Sequence, residues 1–244
     1  MKIKSYGSGS SGNFYIVKND DTIICIDCGI EKDIILKSLE KENIYLTDIS
    51  GALITHSHLD HTKSLNLLKA YEIPIYSGIQ SHIKAKLDTT NNFIIEDKKT
   101  FKIGSIVIKP IKVNHGDCEC YSFILKDKEN MIYFATDFVS IESDLSAFAF
   151  DEIWIECNYV DEIIEKLRKD RPEEFNIKYK RQLNVHCSLN GLLTHLSFMN
   201  LEKCKKIYLI HLSNSMCDKD TVKLKVQEEF DIWTYTVNSQ GVIE

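Results

Sequence analysis

The 244-residue chain has no apolar run approaching the roughly 20 residues that a bilayer-spanning helix needs, so a membrane protein is not expected. It also lacks the continuous apolar stretch and small-residue cleavage site of a signal peptide: Met1-Lys2-Ile3-Lys4-Ser5-Tyr6 alternates and then enters a Gly/Ser turn. A cytoplasmic location is the expectation. Excess positive charge is missing too. Lys and Arg number 30 against 36 Asp and Glu, a formal net charge of −6, which weighs against a surface that binds nucleic acid non-specifically all over but leaves room for a local basic patch. The eight cysteines include the C-x-C of Cys118 and Cys120 but no second pair at zinc-ribbon spacing, and the chain is far longer than the small secreted domains that depend on disulfides. Most are therefore expected to be reduced and buried as small hydrophobes. No stretch resembles an interdomain linker or a short-period repeat, so residues 1–244 are read as one domain.

What is present is the composition of a globular chain, 43% hydrophobic and 10% aromatic. Its first half reads as short strands: Phe14-Tyr15-Ile16-Val17 and Ile23-Ile24-Cys25-Ile26 around a polar Asn19-Asp20-Asp21 turn, then Gly51-Ala52-Leu53-Ile54. Leu65, Leu67, Leu68 and Tyr71 predict a helix, and a second is predicted around 79–88. Further strands follow at Phe93 to Ile95, Ile106 to Val113, Tyr121 to Leu125, Met131 to Ala135, Ile153-Trp154-Ile155 and Ile207 to Ile210, with helices predicted near 159–169 and 189–203. Each half is β-rich first and helix-bearing later. Two sheets with helices on their outer faces, an α/β arrangement, satisfy that order.

His56-Ser57-His58-Leu59-Asp60-His61 places three histidines and an aspartate within six residues, directly after an apolar strand. Neutral imidazole and carboxylate are preferred ligands of zinc and similar cations, and a strand end projects them from a rigid base. One loop cannot complete such a site, so other strand ends should carry donors. They do: His115 follows Ile111-Lys112-Val113-Asn114, Asp137 follows Ile132-Tyr133-Phe134-Ala135-Thr136, and His211 follows Ile207-Tyr208-Leu209-Ile210. Each alone reads as a strand-capping or turn residue. Together they fit one shared edge where strands converge.

This order of donors resembles the metallo-β-lactamase superfamily, whose fold is a four-layer αβ/βα sandwich with a dinuclear metal site. More narrowly, the start Gly7-Ser8-Gly9-Ser10-Ser11-Gly12-Asn13, the pair Thr136-Asp137, the run Ile155-Glu156-Cys157-Asn158 and the ending His211-Leu212-Ser213 resemble its YycJ/WalJ-like branch, similar to RNase Z and other phosphodiesterases. The resemblance implies that His56, His58 and His115 hold one cation, that Asp60, His61 and His211 hold the other, and that Asp137 bridges them. It implies zinc, with manganese as the alternative, and a catalytic role for Asp60 and Asp137 in orienting an activated water. His186, in His186-Cys187-Ser188-Leu189-Asn190, matches the branch's Gly-His-Leu-Ser-Asn motif without its Gly and is assigned to donate a proton or hydrogen bond to the phosphate or leaving oxygen, with a helix cap as the alternative reading. His195-Leu196-Ser197 is a competing match inside a helical pattern. Where the branch continues Glu-x-Asn with His-Asp, Tyr159-Val160 stands here.

Asn13 in the Gly/Ser loop is a candidate substrate contact, or else part of an ordinary turn. Lys180 and Arg181, with Lys178, precede His186 without an intervening acid and are candidates to hold a phosphate backbone, or else a solvated face. His82, among Ser81, Lys84 and Lys86, is expected at the surface. The resemblance puts a nuclease on DNA or RNA first. A cyclic-nucleotide phosphodiesterase of the kind phages use against nucleotide immune signals is the second reading, and a non-catalytic, metal-stabilised nucleotide-binding protein the third. Relatives of this kind often form homodimers, but no apolar patch that would make one is legible in the sequence.

Overall fold

The computed structural model describes residues 1–116 and 118–244. Six strands form the first sheet, β1 (Lys2–Gly7), β2 (Phe14–Lys18), β3 (Ile23–Ile26), β4 (Ile49–Ile54), β5 (Ile75–Ser77) and β6 (Asn92–Ile94), in sequential order. Seven form the second, β7 (Phe101–Ile103), β8 (Ile106–His115), β9 (Cys118–Lys126), β10 (Met131–Ala135), β11 (Glu152–Glu156), β12 (Lys206–Ile210) and β13 (Trp233–Thr236), also sequential. Helices α1 (Lys32–Lys41), α2 (Leu59–Thr62), α3 (Leu65–Ala70) and α4 (Ile79–Lys84) belong to the first half, and α5 (Asp161–Asp170), α6 (Pro172–Glu174), α7 (Leu189–Ser197) and α8 (Lys219–Phe230) to the second.

Both sheets follow one plan. β1, β2 and β3 are antiparallel neighbours, and from β3 to β6 the pairing is parallel. Likewise β7 to β10 are antiparallel and β10 to β13 parallel. The β2–β3 hairpin forms because Asn19 closes it, its Oδ1 accepting from the backbone N–H of Asp21 at 3.1 Å and of Thr22 at 2.9 Å. Strand alternation then sorts side chains into three apolar layers. Trp154 and Phe134 point between the sheets with Tyr15 and Phe123, while their neighbours Ile153 and Ile155 point outward to Leu192 of α7 and Val222 of α8. On the far side, Ile35 and Leu39 of α1 and Leu68 of α3 cover Cys25 and Ile54. Helix, sheet, sheet, helix is the αβ/βα sandwich of the sequence reading, and the parallel strands, covered on both faces, carry near-continuous apolar runs for that reason.

Several boundaries differ from expectation. The helix predicted near 189–203 stops at Ser197, because an isolated bridge between Asn200 and Ala149 draws the chain away, so Cys204 lies beyond the helix. β7 is too short, at three residues, to show a period. His82 is not a surface residue: α4 packs on β9, with Gln80 and Glu119 exchanging hydrogen bonds at 3.0 and 2.9 Å, and this turns Ser81 and His82 inward, where His82 is 5% exposed. Among the described residues no cysteine forms a disulfide and six of the eight are buried, as expected. No helix among the described residues is long and apolar enough to cross a membrane.

The inter-sheet layer centres on Trp154, which stacks on Tyr208 at 4.1 Å between centroids and is 1% exposed. Its indole N–H finds no hydrogen-bond partner among the described residues. Trp154→Ala should therefore lower unfolding stability by about 3–5 kcal/mol. Trp154→Phe should cost much less, since the ring's packing rather than its N–H holds the layer. Urea denaturation of the two variants checks this, and equal losses would contradict it.

Candidate metal centre

The parallel ladders bring several strand ends to one edge of the sandwich, the position at which open α/β sheets bind ligands. β3 delivers Asp27, β4 delivers Thr55 and His56, β10 delivers Asp137, β11 ends in Glu156 and β12 delivers His211. β8 runs in the same direction as β10, since both are antiparallel to β9, and ends in His115. Three of these residues, Asp27 (φ 57°), Asp137 (φ 56°) and His211 (φ 55°), have left-handed backbone. That conformation costs non-glycine residues roughly 1–3 kcal/mol and persists where surrounding contacts impose it, commonly at functional sites.

The imidazoles of His56, His58 and His115 converge. His58 Nδ1 lies 2.9 Å from His56 Nε2 and 3.2 Å from His115 Nε2. The His115 tautomer is fixed from behind, because its Nδ1–H donates to the Val185 carbonyl at 2.7 Å and leaves a lone pair on Nε2. Burial holds both His56 and His115 below the usual histidine range, so both rings are neutral. Neutral rings that turn ring nitrogens toward one point are arranged as donors to a common cation.

A second group joins Asp60, His61, Asp137 and His211. His61 Nε2 is 3.5 Å from Asp60 Oδ2 and 3.2 Å from Asp137 Oδ2, and His211 Nδ1 is 3.1 Å from Asp137 Oδ2. A third grouping, Asp137, Glu156, His186 and His211, overlaps it. Here Glu156 Oε1 accepts from His186 Nδ1 at 2.7 Å and from His211 Nδ1 at 3.0 Å. Burial alone would raise the Asp137 carboxyl, but the His211 and His61 rings outweigh it and hold it well below the usual carboxylate range. Conversely, burial opposes charge on His211, yet Asp137 and Glu156 push it up to about 10. The donor set fits divalent cations: the buried His211 Nε2 has no hydrogen-bond partner among the described residues, and the carboxylates are balanced by titratable rings that can exchange protons for metal.

The sequence reading assigned no role to Asp27 or Glu156. Asp27 Oδ2 accepts from His61 Nδ1–H at 2.7 Å, and Thr55 donates its backbone N–H and hydroxyl to the same carboxylate at 2.9 and 3.0 Å. Such carboxylate–imidazole contacts orient metal-binding rings. The signal was available, since each acid directly follows or ends an apolar strand, the rule that singled out His115, Asp137 and His211. The segment bearing His56 to His61 is also zipped to its neighbours by backbone hydrogen bonds, Asn13 N–H to Asp60 O and Cys28 N–H to His61 O, both 2.8 Å. Gly29 permits this approach: a Cβ there would lie 1.6 Å from the Asp60 carbonyl oxygen.

Of the candidate substrate residues, Asn13 is fully buried behind His61, its side-chain nitrogen 3.0 Å from His61 Nε2 and within reach of the Gly9 and Asp60 carbonyls. It braces the His56–His61 segment and is itself fully enclosed. Lys180 and Arg181 are exposed on a helical segment leading to His186, while Lys178 pairs with Glu174 at 3.0 Å. His186 reaches Glu156 and lies 3.7 Å from Asp137 Oδ1. The competing His195 instead packs against Phe138 and joins none of the donor groups found among the described residues.

This fold and strand-end donor set define the class. A family model described as the β-lactamase superfamily domain matches residues 22–211, and the chain belongs to that family. Among its relatives, it is similar to exodeoxyribonuclease YycJ of Bacillus anthracis, 26% identical over 237 residues that cover 91% of this chain and 86% of that one. It is also similar to exodeoxyribonuclease WalJ of Streptococcus pneumoniae, 28% identical over 226 residues that cover 87% and 82%. The crystal structure of the metallo-β-lactamase fold protein YhfI from Bacillus subtilis superposes with a TM-score of 0.76 at 14% identity, covering 99% of this chain and 98% of that one, and shares its fold.

Two outcomes follow from the supports. Asp27→Asn keeps the volume but weakens the grip on His61, and metal affinity measured by competition with a chelating dye should fall by about 10- to 100-fold with thermal stability little changed. Gly29→Ala should instead push the Asp60–His61 backbone away and lower both metal content and melting temperature. An alanine variant with full metal content would show that the close approach is dispensable.

Proposed function

We propose that the chain is a cytoplasmic metal-dependent phosphodiesterase that hydrolyses nucleic-acid phosphodiesters, with DNA as its first substrate class. The observation that carries this reading is the juxtaposition of two donor groups with a separate Glu156–His186 pair at one strand-end edge. His56, His58 and His115 would hold one divalent cation and Asp60, His61 and His211 the other, with Asp137 between them. When bound, such a pair of cations, zinc first and manganese second, lowers the pKa of a water, polarises a phosphoryl oxygen and neutralises charge on the leaving oxygen.

The chain's own groups supply the rest. Asp60, about one-quarter exposed and held ionised by its contact with His61, would accept a hydrogen bond from the attacking water, orienting it. His186 directs one ring nitrogen into Glu156, which leaves Nε2 to meet the phosphate or to protonate the departing oxygen. Glu156, fully buried, fixes that ring's orientation. Lys180 and Arg181, outside the metal centre, would contact the phosphate backbone. Relatives named as exodeoxyribonucleases support DNA ahead of RNA or a cyclic nucleotide.

The test is direct. The chain loaded with zinc or manganese is offered a bis-aryl phosphodiester, linear DNA, RNA and a panel of cyclic nucleotides. Turnover of linear DNA is expected. His186→Ala should retain its metal and lose about 10²- to 10⁴-fold in rate. A metal-loaded chain that turns over none of these substrates would refute the enzymatic reading, turnover of cyclic nucleotides alone would replace the nuclease by the second reading, and metal loss in His186→Ala would make His186 a ligand.

A further inference from the structure

The Gly/Ser loop between β1 and β2 grips both halves of the strand-end edge. At its far end Asn13 holds the first half: its backbone N–H and its side-chain N–H donate to the Asp60 carbonyl at 2.8 and 3.2 Å, and its Oδ1 accepts from the Gly9 N–H at 3.0 Å. At its near end Ser8 holds the second half. The β11–β12 ladder stops at Glu156 and Ile210, so the N–H of His211 lies beyond it, and the Ser8 hydroxyl oxygen accepts that N–H at 2.9 Å. The His211 carbonyl in turn accepts from Asn158 Nδ2–H at 2.9 Å. A residue in left-handed backbone (φ 55°) is thus gripped at both of its backbone polar groups. Ser8, Asn13 and Tyr15 are fully buried. A serine oxygen has two lone pairs, and the second one here is taken by the Tyr15 phenol of β2, which donates at 2.9 Å and lies 3.4 Å from Asn13 Oδ1. The hydroxyl therefore cannot swing away without stranding the buried His211 N–H, which is unfavourable.

We propose that Ser8 is a positioning residue for the cation shared by Asp60, His61 and His211: its hydroxyl, fixed by Tyr15, sets the His211 ring of the second sheet against the Asp60–His61 turn of the first. A cation that takes donors from two sheets binds only as well as those sheets keep the donors aimed at one point. Asn13 and Ser8 lie five residues apart on one loop and supply that constraint from a common base. Ser8 acts through the His211 backbone and is not itself a ligand. The effect is confined to one subsite, because the rings of the other are held by different groups, His56 by Thr55 Oγ1 at 3.1 Å and His115 by the Val185 carbonyl at 2.7 Å.

This inference rests on the two-cation reading, and cadmium distinguishes the two. The full chain is stripped with a chelator and titrated with cadmium-113, which gives each occupied subsite its own nuclear magnetic resonance signal. The signal that His58→Ala removes marks the first subsite. In Ser8→Ala the affinity of the other subsite should fall by about 10- to 100-fold while that of the first is unchanged. Tyr15→Phe keeps the ring and removes only the hydroxyl, so the same affinity should fall by a smaller factor, about 2- to 10-fold, with no further loss when the change is added to Ser8→Ala. Far-ultraviolet circular dichroism confirms folding, and Tyr15→Phe carries the test alone if Ser8→Ala is unfolded. Equal weakening of both subsites, as a purely structural role would give, or an unchanged second affinity would overturn the assignment and leave the two-cation reading standing. A single signal at saturation in the unsubstituted chain would refute that reading, and this assignment with it.

Discussion

Asp137 is a carboxylate 2% exposed, held between His61 at 3.2 Å and His211 at 3.1 Å with the Thr136 hydroxyl donating at 2.7 Å, and the rest of the centre answers its charge. Asp27 and Glu156 are fully buried nearby. Burying acids this closely is unfavourable unless positive partners come with them. No lysine or arginine is buried among the described residues, so the balancing charge comes from imidazoles or from an added cation. A lysine would neutralise the acids permanently and occupy the space between them. Imidazoles neutralise them only while protonated, and they become ligands once a metal displaces that proton. The choice of histidine over lysine keeps the charge exchangeable, which a metal centre requires and a structural ion pair does not.

The fold makes such crowding possible by repeating one device. In each half an antiparallel start leads into parallel strands whose carboxyl ends share an edge, and a residue one or two positions past β3, β10 and β12 takes left-handed backbone. The strain at Asp27, Asp137 and His211 is distributed over three rigid strand ends and sustained by apolar layers that cover both faces of each sheet. A loop could carry the same residues but not the same constraint. The helical crossovers of the first half, by contrast, leave α2 directly after β4, so His58, Asp60 and His61 arrive together on one short turn. That turn has few internal hydrogen bonds, and its placement depends on the backbone contacts from Asn13, Cys28 and Gly29.

These two kinds of support explain what the sequence made legible. His56, His58, Asp60, His61, His115, Asp137 and His211 are candidate donors in positions where an apolar strand has just ended, and both signals are local. The order of strands and helices gave the sandwich for the same reason. Asp27 escaped because an aspartate after a strand also caps turns, and only its 2.7 Å contact with a ring 34 residues away gives it a role. Glu156 escaped because its partners, His186 and His211, come from later crossovers. His82 and Asn13 show the opposite failure: a polar residue in a polar stretch looks exposed until the packing of α4 on β9, or of the Gly/Ser loop behind His61, encloses it. His186 and His195 are separated by geometry alone, since both precede similar residues and only the former lies at the strand edge.

On the proposed reading, substrate recognition would depend on a longer-range consequence of the same construction. With a net charge of −6, a polyanion gains nothing from the chain's average field, so attraction has to be local. From 175 to 184 the chain carries Lys178, Lys180 and Arg181 and no acid, although Lys178 is engaged by Glu174. The segment is tied to the metal centre at its far end, where the Val185 carbonyl accepts from His115 Nδ1–H and His186 follows. A force on the basic segment therefore reaches a ring of the first donor group through one hydrogen bond and the His186–Glu156 pair through one peptide unit. Contacts to a phosphate backbone made outside the centre would bear directly on the orientation of the groups inside it. On the proposed reading, that coupling would give a polymeric substrate a means of ordering the site that a small diester lacks.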